Sequence, residues 1–261
     1  MINLSIIIPV YNSCNILEKL INEIKKNLNP TLEKNYELIL VNDNSRDNSW
    51  DEIEKLSKSN SNLKGINLKY NIGQHGSIFV GLKYSKGKKI IIMDDDLQHP
   101  PKSLISIYDK LDSFDACYTL YKNRQHARWK IIISVLNNIF SSFLFNKKFN
   151  IYLSSMKGIR SETKETFINN LPKKPFIDSL ILKGTKKITN IEVNHQERFE
   201  GRSNYDLKKL LILWFDMIEN FHFYPLRFGS FIGLIAFCFV KLIRIFKSKN
   251  KFSYTVLKTT F

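Results

Sequence analysis

The feature that most constrains the fold is a repeated alternation between short apolar runs and segments with helical apolar spacing. Residues 4–10 form a continuous apolar run, and residues 16–24 carry apolar side chains three and four positions apart. The same pair of patterns recurs twice before residue 85. Strands that alternate with helices predict a mainly parallel sheet with right-handed crossovers and helices on its faces. We therefore predict an α/β domain.

Polar residues follow several of the expected strands. Asn12 and Asp43 come after the first two strands, and Asp94, Asp95 and Asp96 come after the fourth. Because ligands of parallel sheets bind at the carboxyl ends of the strands, we expect these side chains to share one site. The expected strands cover residues 4–10, 36–41, 63–68, 89–93, 116–120 and 188–193.

The three consecutive aspartates indicate a divalent cation. Three carboxylates at the end of a buried strand need a cation or water to compensate their charge. Side chains two residues apart in an extended segment point the same way, so Asp94 and Asp96 can face one ion while Asp95 points elsewhere. Gln98 has the same parity, and a set of oxygen ligands suits Mg²⁺ or Mn²⁺. A solvated acidic loop is the alternative interpretation.

The net charge of +16 is unevenly distributed along the chain. Residues 1–100 carry 13 Lys and Arg against 12 Asp and Glu, whereas residues 101–261 carry 27 against 12. The excess adjoins an apolar segment, which favours an anionic membrane as the partner over nucleic acid. The three cysteines are scattered, so a disulfide framework and a cysteine-based zinc site are both excluded.

The region after residue 200 has a membrane-associated pattern. Residues 201–224 carry a helical apolar stripe that predicts an interfacial amphipathic helix. Residues 225–246 contain the uncharged run 228–240, which rises only about 20 Å against a hydrocarbon core of about 30 Å. With snorkelling basic residues after it the length approaches about 28 Å, so we predict a membrane segment, with spanning favoured over a re-entrant or buried helix. Residues 247–261 are expected to form a basic tail.

Four motifs in order carry a family resemblance: SIIIPVYN at 5–12, VNDNSRD at 41–47, NIGQHGSIFVGL at 71–82 and MDDDLQHPP at 93–101. Together they resemble the family 2 glycosyltransferases of the GT-A fold. The last motif is similar to the MDADLQHPP segment of the polyprenyl- and dolichyl-phosphate sugar transferases. The resemblance continues through PFIDSLI, HQERFEGRSNY and FYPLRFG, and so covers nearly the whole chain.

The resemblance implies a GT-A domain over residues 1–200, with a nucleotide-sugar half at 1–100 and an acceptor half at 101–200. It implies that nucleotide contacts come from Pro9, Tyr11, Asn12, Asp43 and Asp94. It implies that the metal is held by Asp94, Asp96 and Gln98. Catalytic roles would fall to Asp96, Arg124, Arg128 and Arg198, and the acceptor would contact Arg198, Arg202 and Ser203. Ser13 stands where the family often has Glu.

Several of these residues also have purely structural interpretations. Asp43 could form an Asx-turn or cap the helix expected at 47–57, and the basic residues after the fifth strand could form a solvated face. His75 and His99 are expected to be structural rather than catalytic.

The implied activity is a metal-dependent, inverting transfer of a sugar from a nucleotide-diphosphate sugar to a polyprenyl phosphate. We expect it at the cytoplasmic face of the cell membrane, in the synthesis of cell-surface polysaccharide. A phosphate monoester is already charged at pH 7, so this acceptor needs no base. The alternatives are a transferase that uses a glycan hydroxyl, with Asp178 or another carboxylate as base, and a non-catalytic relative that binds the sugar nucleotide.

Overall fold

The described part of the protein is one α/β unit built on a single mixed sheet. The computed structural model describes residues 2–28, 32, 35–97, 101–122, 142, 147–171, 175–194 and 252–261. Within these residues the strands are β1 Leu4–Val10, β2 Tyr36–Asn42, β3 Leu63–Leu68, β4 Lys89–Ile92, β5 Ala116–Lys122, β6 Lys157–Arg160, β7 Ile188–Asn194 and β8 Val256–Thr259. The helices are α1 Leu17–Asn27, α2 Ser49–Ser59, α3 Gln74–Tyr84, α4 Ser103–Lys110, α5 Ser161–Ile168 and α6 Ile177–Gly184.

The strand order gives the sheet one edge where most strands end. The order is β7-β5-β6-β4-β1-β2-β3-β8. β6 runs antiparallel to both of its neighbours, and β8 runs antiparallel to β3. The other six strands are parallel to one another, so their carboxyl ends meet at a common edge. We call this edge, formed by the carboxyl ends of β1 to β5 and β7, the carboxyl edge.

Helices cover both faces of the sheet and bury alternate side chains of each strand. Ile6 and Ile8 pack in one apolar cluster with α1, and Ile7 packs in the other with α3. All three are fully buried, which explains why β1 reads as a continuous apolar run. α3 lies so close to β1 that a Cβ on Gly81 would stand 2.5 Å from Ile7 Cγ2. This close packing fixes the position of α3 on the sheet.

The predicted α/β class and the mainly parallel sheet are confirmed, and all six expected strands are present. Two antiparallel strands, β6 and β8, were not predicted. β8 lies within residues 247–261, which the sequence analysis treated as a tail, and it pairs with β3 at the end of the sheet. The expected interfacial helix and membrane segment lie outside the described residues. Among the helices that are described, none has the length and apolar character needed to cross a bilayer.

Candidate active site

A cavity of about 540 Å³ opens at the carboxyl edge of the sheet. Its walls come from the residues that follow β1, β2, β3 and β4, as the strand-end rule predicts. A volume of this size is typical of small-molecule sites. The cavity is lined by Pro9, Val10, Tyr11, Asp43, Asn71, Gly73, Gln74, Asp94, Asp95 and Asp96.

The first two aspartates of the acidic triplet have different hydrogen-bond partners. Asp94 Oδ1 accepts a hydrogen bond of 2.5 Å from the Gln74 side chain at the start of α3. Asp95 Oδ2 accepts hydrogen bonds from Ser13 Oγ at 2.5 Å and from the Tyr11 N–H at 3.3 Å. All three aspartates line the cavity, so the expectation that Asp95 points away from the ion stays a prediction. The triplet is followed by Leu97, whose φ of 58° turns the chain sharply after it.

The carboxyl of Asp95 has a raised pKa. Burial raises the pKa of its carboxyl from the ordinary value of 3.8 to about 6, and the negative charges of Asp94 and Asp96 add to this, whereas the hydrogen bonds from Ser13 and Tyr11 lower it. At neutral pH the carboxyl is largely ionised. The three carboxylates therefore give this wall of the cavity a concentrated negative charge that favours a cation.

Asp43 has a role that neither sequence interpretation described. It does not cap α2. Its two carboxylate oxygens accept hydrogen bonds from the backbone N–H groups of Ile72 at 2.8 Å and Gly73 at 2.9 Å. Burial raises the pKa of Asp43, and these backbone hydrogen bonds lower it in part. Asp43 thus holds the chain that enters α3, where Gly73 has a φ of 81° that favours glycine.

The turn after β1 is held by a hydrogen bond to the loop after β2. Asn12 has a φ of 55°, and its Oδ1 accepts a hydrogen bond of 2.8 Å from the Arg46 N–H. The Asn12 side chain is therefore engaged by the loop after β2 and is not among the lining residues. Tyr11 is 45% exposed and lines the cavity. An exposed aromatic ring beside a polar cavity is suited to stacking against a planar base.

Asp178, the candidate base, lies in the first turn of α6 and forms a buried ion pair with Lys157 of β6. It is not among the residues described as lining the cavity. Next to it, Ile177 N–H approaches His75 Nδ1 at 3.5 Å, and the His75 ring packs on Phe176 with a centroid distance of 4.7 Å. His75 thus joins α3 to α6, which agrees with the structural role expected for it.

The structure brings Pro9, Tyr11, Asp43, Asp94 and Asp96 together at one cavity. Asn12 is described but is not among the lining residues. The remaining predicted site residues fall outside the described part of the chain, and their roles stay predictions. They are Gln98, Arg124, Arg128, Arg198, Arg202 and Ser203.

Sequence reasoning did not assign Asn71, Gly73 and Gln74 to the site. They belong to the NIGQHG segment and follow β3, so the strand-end rule that selected Asp43 would also have selected them. Ser13 was noted only as a departure from the family pattern. Its hydrogen bond to Asp95 could not be read from the sequence, because it joins two loops 82 positions apart.

Comparison with known proteins decides the family. The sequence matches the model of Glycosyl transferase family 2 over residues 5–165, which is more than half of the chain. The chain belongs to glycosyl transferase family 2. The matched range runs from β1 into α5 and includes every residue that lines the cavity.

Two relatives of this family 2 glycosyltransferase carry the same name. The chain is 31% identical over 231 residues to the undecaprenyl-phosphate 4-deoxy-4-formamido-L-arabinose transferase of Shewanella sediminis, covering 88% of this chain and 70% of the relative. It is 30% identical over 245 residues to the enzyme of the same name from Edwardsiella ictaluri, covering 92% and 75%. The similarity therefore extends beyond the family match at residue 165.

Solved structures support the fold. The glycosyltransferase resembles glucosyl-3-phosphoglycerate synthase from Mycobacterium tuberculosis with a TM-score of 0.62 at 13% identity, covering 84% of this chain and 80% of that one. That crystal structure contains Mn²⁺, uridine diphosphate and glucosyl-3-phosphoglycerate. Another structure of the same enzyme, with a TM-score of 0.61, contains Mg²⁺ and uridine diphosphate.

Proposed function

We propose that this glycosyltransferase moves a sugar from a nucleotide-diphosphate sugar to a polyprenyl phosphate at the cytoplasmic face of a membrane. The observation that carries the proposal is the 31% identity, over 88% of the chain, to an undecaprenyl-phosphate sugar transferase. The cavity at the carboxyl edge supports the donor half of the proposal, because it combines an exposed aromatic ring with an acidic wall. We assign the nucleotide to the wall of the cavity formed by Pro9, Tyr11 and Asp43.

The acidic wall fits a divalent cation. Asp94 and Asp96 offer carboxylate oxygens at one cavity, the donor type that Mg²⁺ and Mn²⁺ prefer. The described residues contain no group of three His, Cys, Asp or Glu side chains that could hold a metal by themselves. Asp94 and Asp96 would hold the ion, with Gln98 as the further oxygen ligand that the resemblance implies. When bound, such an ion stabilises the negative charge that develops on the departing diphosphate.

The proposed acceptor does not require a base. An oxygen of the polyprenyl phosphate attacks the anomeric carbon, the bond from that carbon to the diphosphate breaks, and the nucleoside diphosphate leaves with the bonding electrons. No proton has to be removed, because the phosphate is already an anion at pH 7. The ion pair of Asp178 with Lys157 favours a phosphate acceptor over a hydroxyl acceptor, since the lysine engages the carboxylate named as the candidate base.

The arginines remain part of the proposal. We assign Arg124 and Arg128 to the donor phosphates, and Arg198, Arg202 and Ser203 to the acceptor phosphate. Guanidinium groups bind phosphate through paired charge-assisted hydrogen bonds, so each lost contact should weaken binding by about 1.5–3 kcal/mol. Arg198→Ala should impair acceptor use more than donor binding, and Arg128→Ala should impair both.

The test is a transfer assay with matched acceptors. Detergent-solubilised protein is incubated with a panel of sugar nucleotides, Mg²⁺ or Mn²⁺, and either undecaprenyl phosphate or undecaprenol. We expect a charged glycolipid and free nucleoside diphosphate only with the phosphate. Transfer to a glycan hydroxyl with no use of the phosphate would contradict the proposal.

Asp178→Asn separates the two acceptor chemistries. Removal of a general base costs about 10²–10⁴-fold in rate. If the acceptor is a phosphate, folded Asp178→Asn protein should retain substantial turnover. Turnover is normalised to the folded fraction by near-ultraviolet circular dichroism, because the substitution also leaves Lys157 without its buried partner. A loss in the range expected for a missing base, at unchanged folded fraction, would support the hydroxyl acceptor.

A further inference from the structure

Gln74 contacts the wall of the cavity that is proposed to hold the cation. It is the first residue of α3, it lines the cavity, and its Nε2 donates the 2.5 Å hydrogen bond to Asp94 Oδ1. The two residues lie 20 positions apart and follow different strands, so the folded sheet brings them together. Only the amide nitrogen of a glutamine can donate to a carboxylate, so this hydrogen bond orients both groups.

The backbone of Gln74 is held on both sides. Before it, the N–H groups of Ile72 and Gly73 donate to the carboxylate of Asp43. After it, the ring of His75 packs against the residue that precedes α6. The Gln74 side chain therefore extends from a fixed point of the backbone, and its hydrogen bond can hold the Asp94 carboxylate in one orientation.

The donor at Asp94 is a neutral amide. A lysine or arginine in this place would compensate the charge of the carboxylate and reduce its attraction for a cation. An amide orients the carboxylate and leaves its negative charge in place. A carboxylate offers about four lone-pair sites on its two oxygens, so a hydrogen bond to Oδ1 is compatible with metal binding. Groups that hold a metal ligand in this way raise the affinity of the site.

A contact that only stabilises the fold is the alternative. Gln74 is exposed, whereas residues 76–82 of the same helix are buried. The helix is thus already held by its buried face and by the hydrogen bonds of the preceding backbone to Asp43. A single hydrogen bond from an exposed side chain adds little to this packing, but it changes metal affinity strongly when it orients a ligand.

We infer that Gln74 is a positioning residue, which holds the Asp94 carboxylate in the orientation that receives the cation. This role deepens the proposed function, and it rests on that function for the presence of a divalent cation at Asp94 and Asp96. Gln74 itself touches neither the ion nor the reacting atoms. Its loss should therefore weaken metal binding and spare the chemical step once the metal is bound.

The test is Mn²⁺ binding to the full chain, with and without uridine diphosphate. Free Mn²⁺ is measured by electron paramagnetic resonance during a titration. Gln74→Met keeps the length of the side chain and removes the donor, so its dissociation constant for Mn²⁺ should rise by about 10-fold or more. Lys83→Met is the matched control, because it places the same new side chain at an exposed position near the other end of α3.

Gln74→Ala is the second variant, and it should weaken Mn²⁺ binding as Gln74→Met does because it also lacks the donor. An unchanged dissociation constant in either variant, or an equal rise in Lys83→Met, would overturn the inference. So would the absence of Mn²⁺ binding by the unchanged protein in both conditions. A lower melting temperature in metal-free buffer, with unchanged Mn²⁺ affinity of the folded protein, would show that the contact only stabilises the fold.

Transfer gives a second readout. Gln74→Met should need more Mn²⁺ for half-maximal transfer, and excess Mn²⁺ should restore most of kcat. Asp94→Asn should stay impaired in excess Mn²⁺, because it lacks a ligand and not only the orientation of one. A loss of kcat in Gln74→Met that persists at saturating Mn²⁺ would overturn the positioning role.

The binding measurement is independent of the acceptor. Absence of transfer to polyprenyl phosphate, with weaker Mn²⁺ binding in Gln74→Met, would contradict the proposed function and leave the positioning role standing. Transfer to polyprenyl phosphate, with unchanged Mn²⁺ affinity in Gln74→Met, would contradict the positioning role alone.

Discussion

The two ends of β2 hold buried carboxylates in opposite ways. Glu37, near the amino end, bonds Lys64 Nζ at 2.7 Å, Ser5 Oγ at 2.6 Å and the Lys86 N–H at 2.6 Å. Burial raises the pKa of Glu37, but these partners lower it more, so the net pKa is lowered. Asp43, at the carboxyl end, bonds two backbone N–H groups, and its pKa is raised.

The difference lies in the charge of the hydrogen-bond donors at the two edges of the sheet. A lysine neutralises Glu37 inside the protein and leaves no demand for an external cation. At the carboxyl edge, the hydrogen bonds to Asp43 and Asp95 come from backbone N–H groups and a serine hydroxyl. Neutral donors leave a net negative charge in the cavity, which a bound cation can neutralise. One edge stabilises the fold, and the other keeps charge available for a ligand.

The largest effect should follow from Asp96→Asn. If the carboxyl edge holds the cation, the variant should lose about 10²–10³-fold in turnover, the size of one lost transition-state contact, with little change in thermal stability. Asp94→Asn should lose nearly as much. The measurement is transfer to undecaprenyl phosphate at saturating metal. Full activity of either variant, or of the unchanged protein in excess chelator, would contradict a cation site at the carboxyl edge.

Lys64→Met should cost about 3 kcal/mol in the free energy of unfolding, because it leaves the buried Glu37 carboxylate without its cation. The measurement is urea denaturation at pH 7. Lys86→Met is the matched control, since Lys86 contributes only its backbone N–H to Glu37 and its side chain is exposed. Equal effects of the two substitutions would show that the lysine charge is unimportant at the amino edge.

Asp95→Asn should stabilise the protein at neutral pH. Because the pKa of Asp95 is raised from 3.8 to about 6, the folded protein binds more protons than the unfolded chain between these values, and stability falls as pH rises through this window. The variant removes that loss, so its advantage should grow between pH 4 and pH 7. The limit is about 3 kcal/mol, and about 2 kcal/mol is expected because the triplet is partly hydrated.

The check is the melting temperature of both proteins at each pH in a metal-free buffer. The trend should be opposite for Glu37, whose lowered pKa contributes stability that is present above its ordinary value of 4.5 and is lost as pH falls through the lowered value. An advantage of Asp95→Asn that is constant across the pH range would contradict the raised pKa.

Ser13→Ala should have the smallest effect. It removes the 2.5 Å hydrogen bond to Asp95 and leaves the Tyr11 N–H bond in place. A single hydrogen bond to a charged group contributes about 1.5–3 kcal/mol, and the remaining contact reduces the net loss to about 1 kcal/mol. We expect a severalfold rise in KM for the sugar nucleotide with kcat nearly unchanged. Ser45→Ala, in the neighbouring loop, is the control.

The sequence predicts the structure where the pattern depends only on neighbouring residues. The apolar run of β1 is such a pattern, and the structure confirms it as a fully buried strand. The parity of Asp94 and Asp96 stays a prediction, because all three aspartates line the cavity. β6 and β8 are four residues each and contain lysine or arginine, so no periodicity could reveal them. Lys157 lies in β6 and is buried only because Asp178 of a distant helix pairs with it.

The site was predicted where a residue type alone implies chemistry. Three aspartates after an apolar strand indicate a cation whatever their neighbours are. The role of Asp43 depends on the backbone direction at Ile72 and Gly73, which is set by the approach of α3 to the sheet. The link between Ser13 and Asp95 also forms between loops that only the completed sheet brings together.

The pairing of β8 with β3 has a consequence for the order of events during synthesis. The contact between Gly65 and Thr260 joins residues 195 positions apart, so β3 is made long before its partner leaves the ribosome. Such non-local contacts form late, because closing a long loop costs conformational entropy before the contact is made. Until then the nascent domain exposes the edge of β3. We expect closure of the sheet by β8 to be the last step in the folding of the domain.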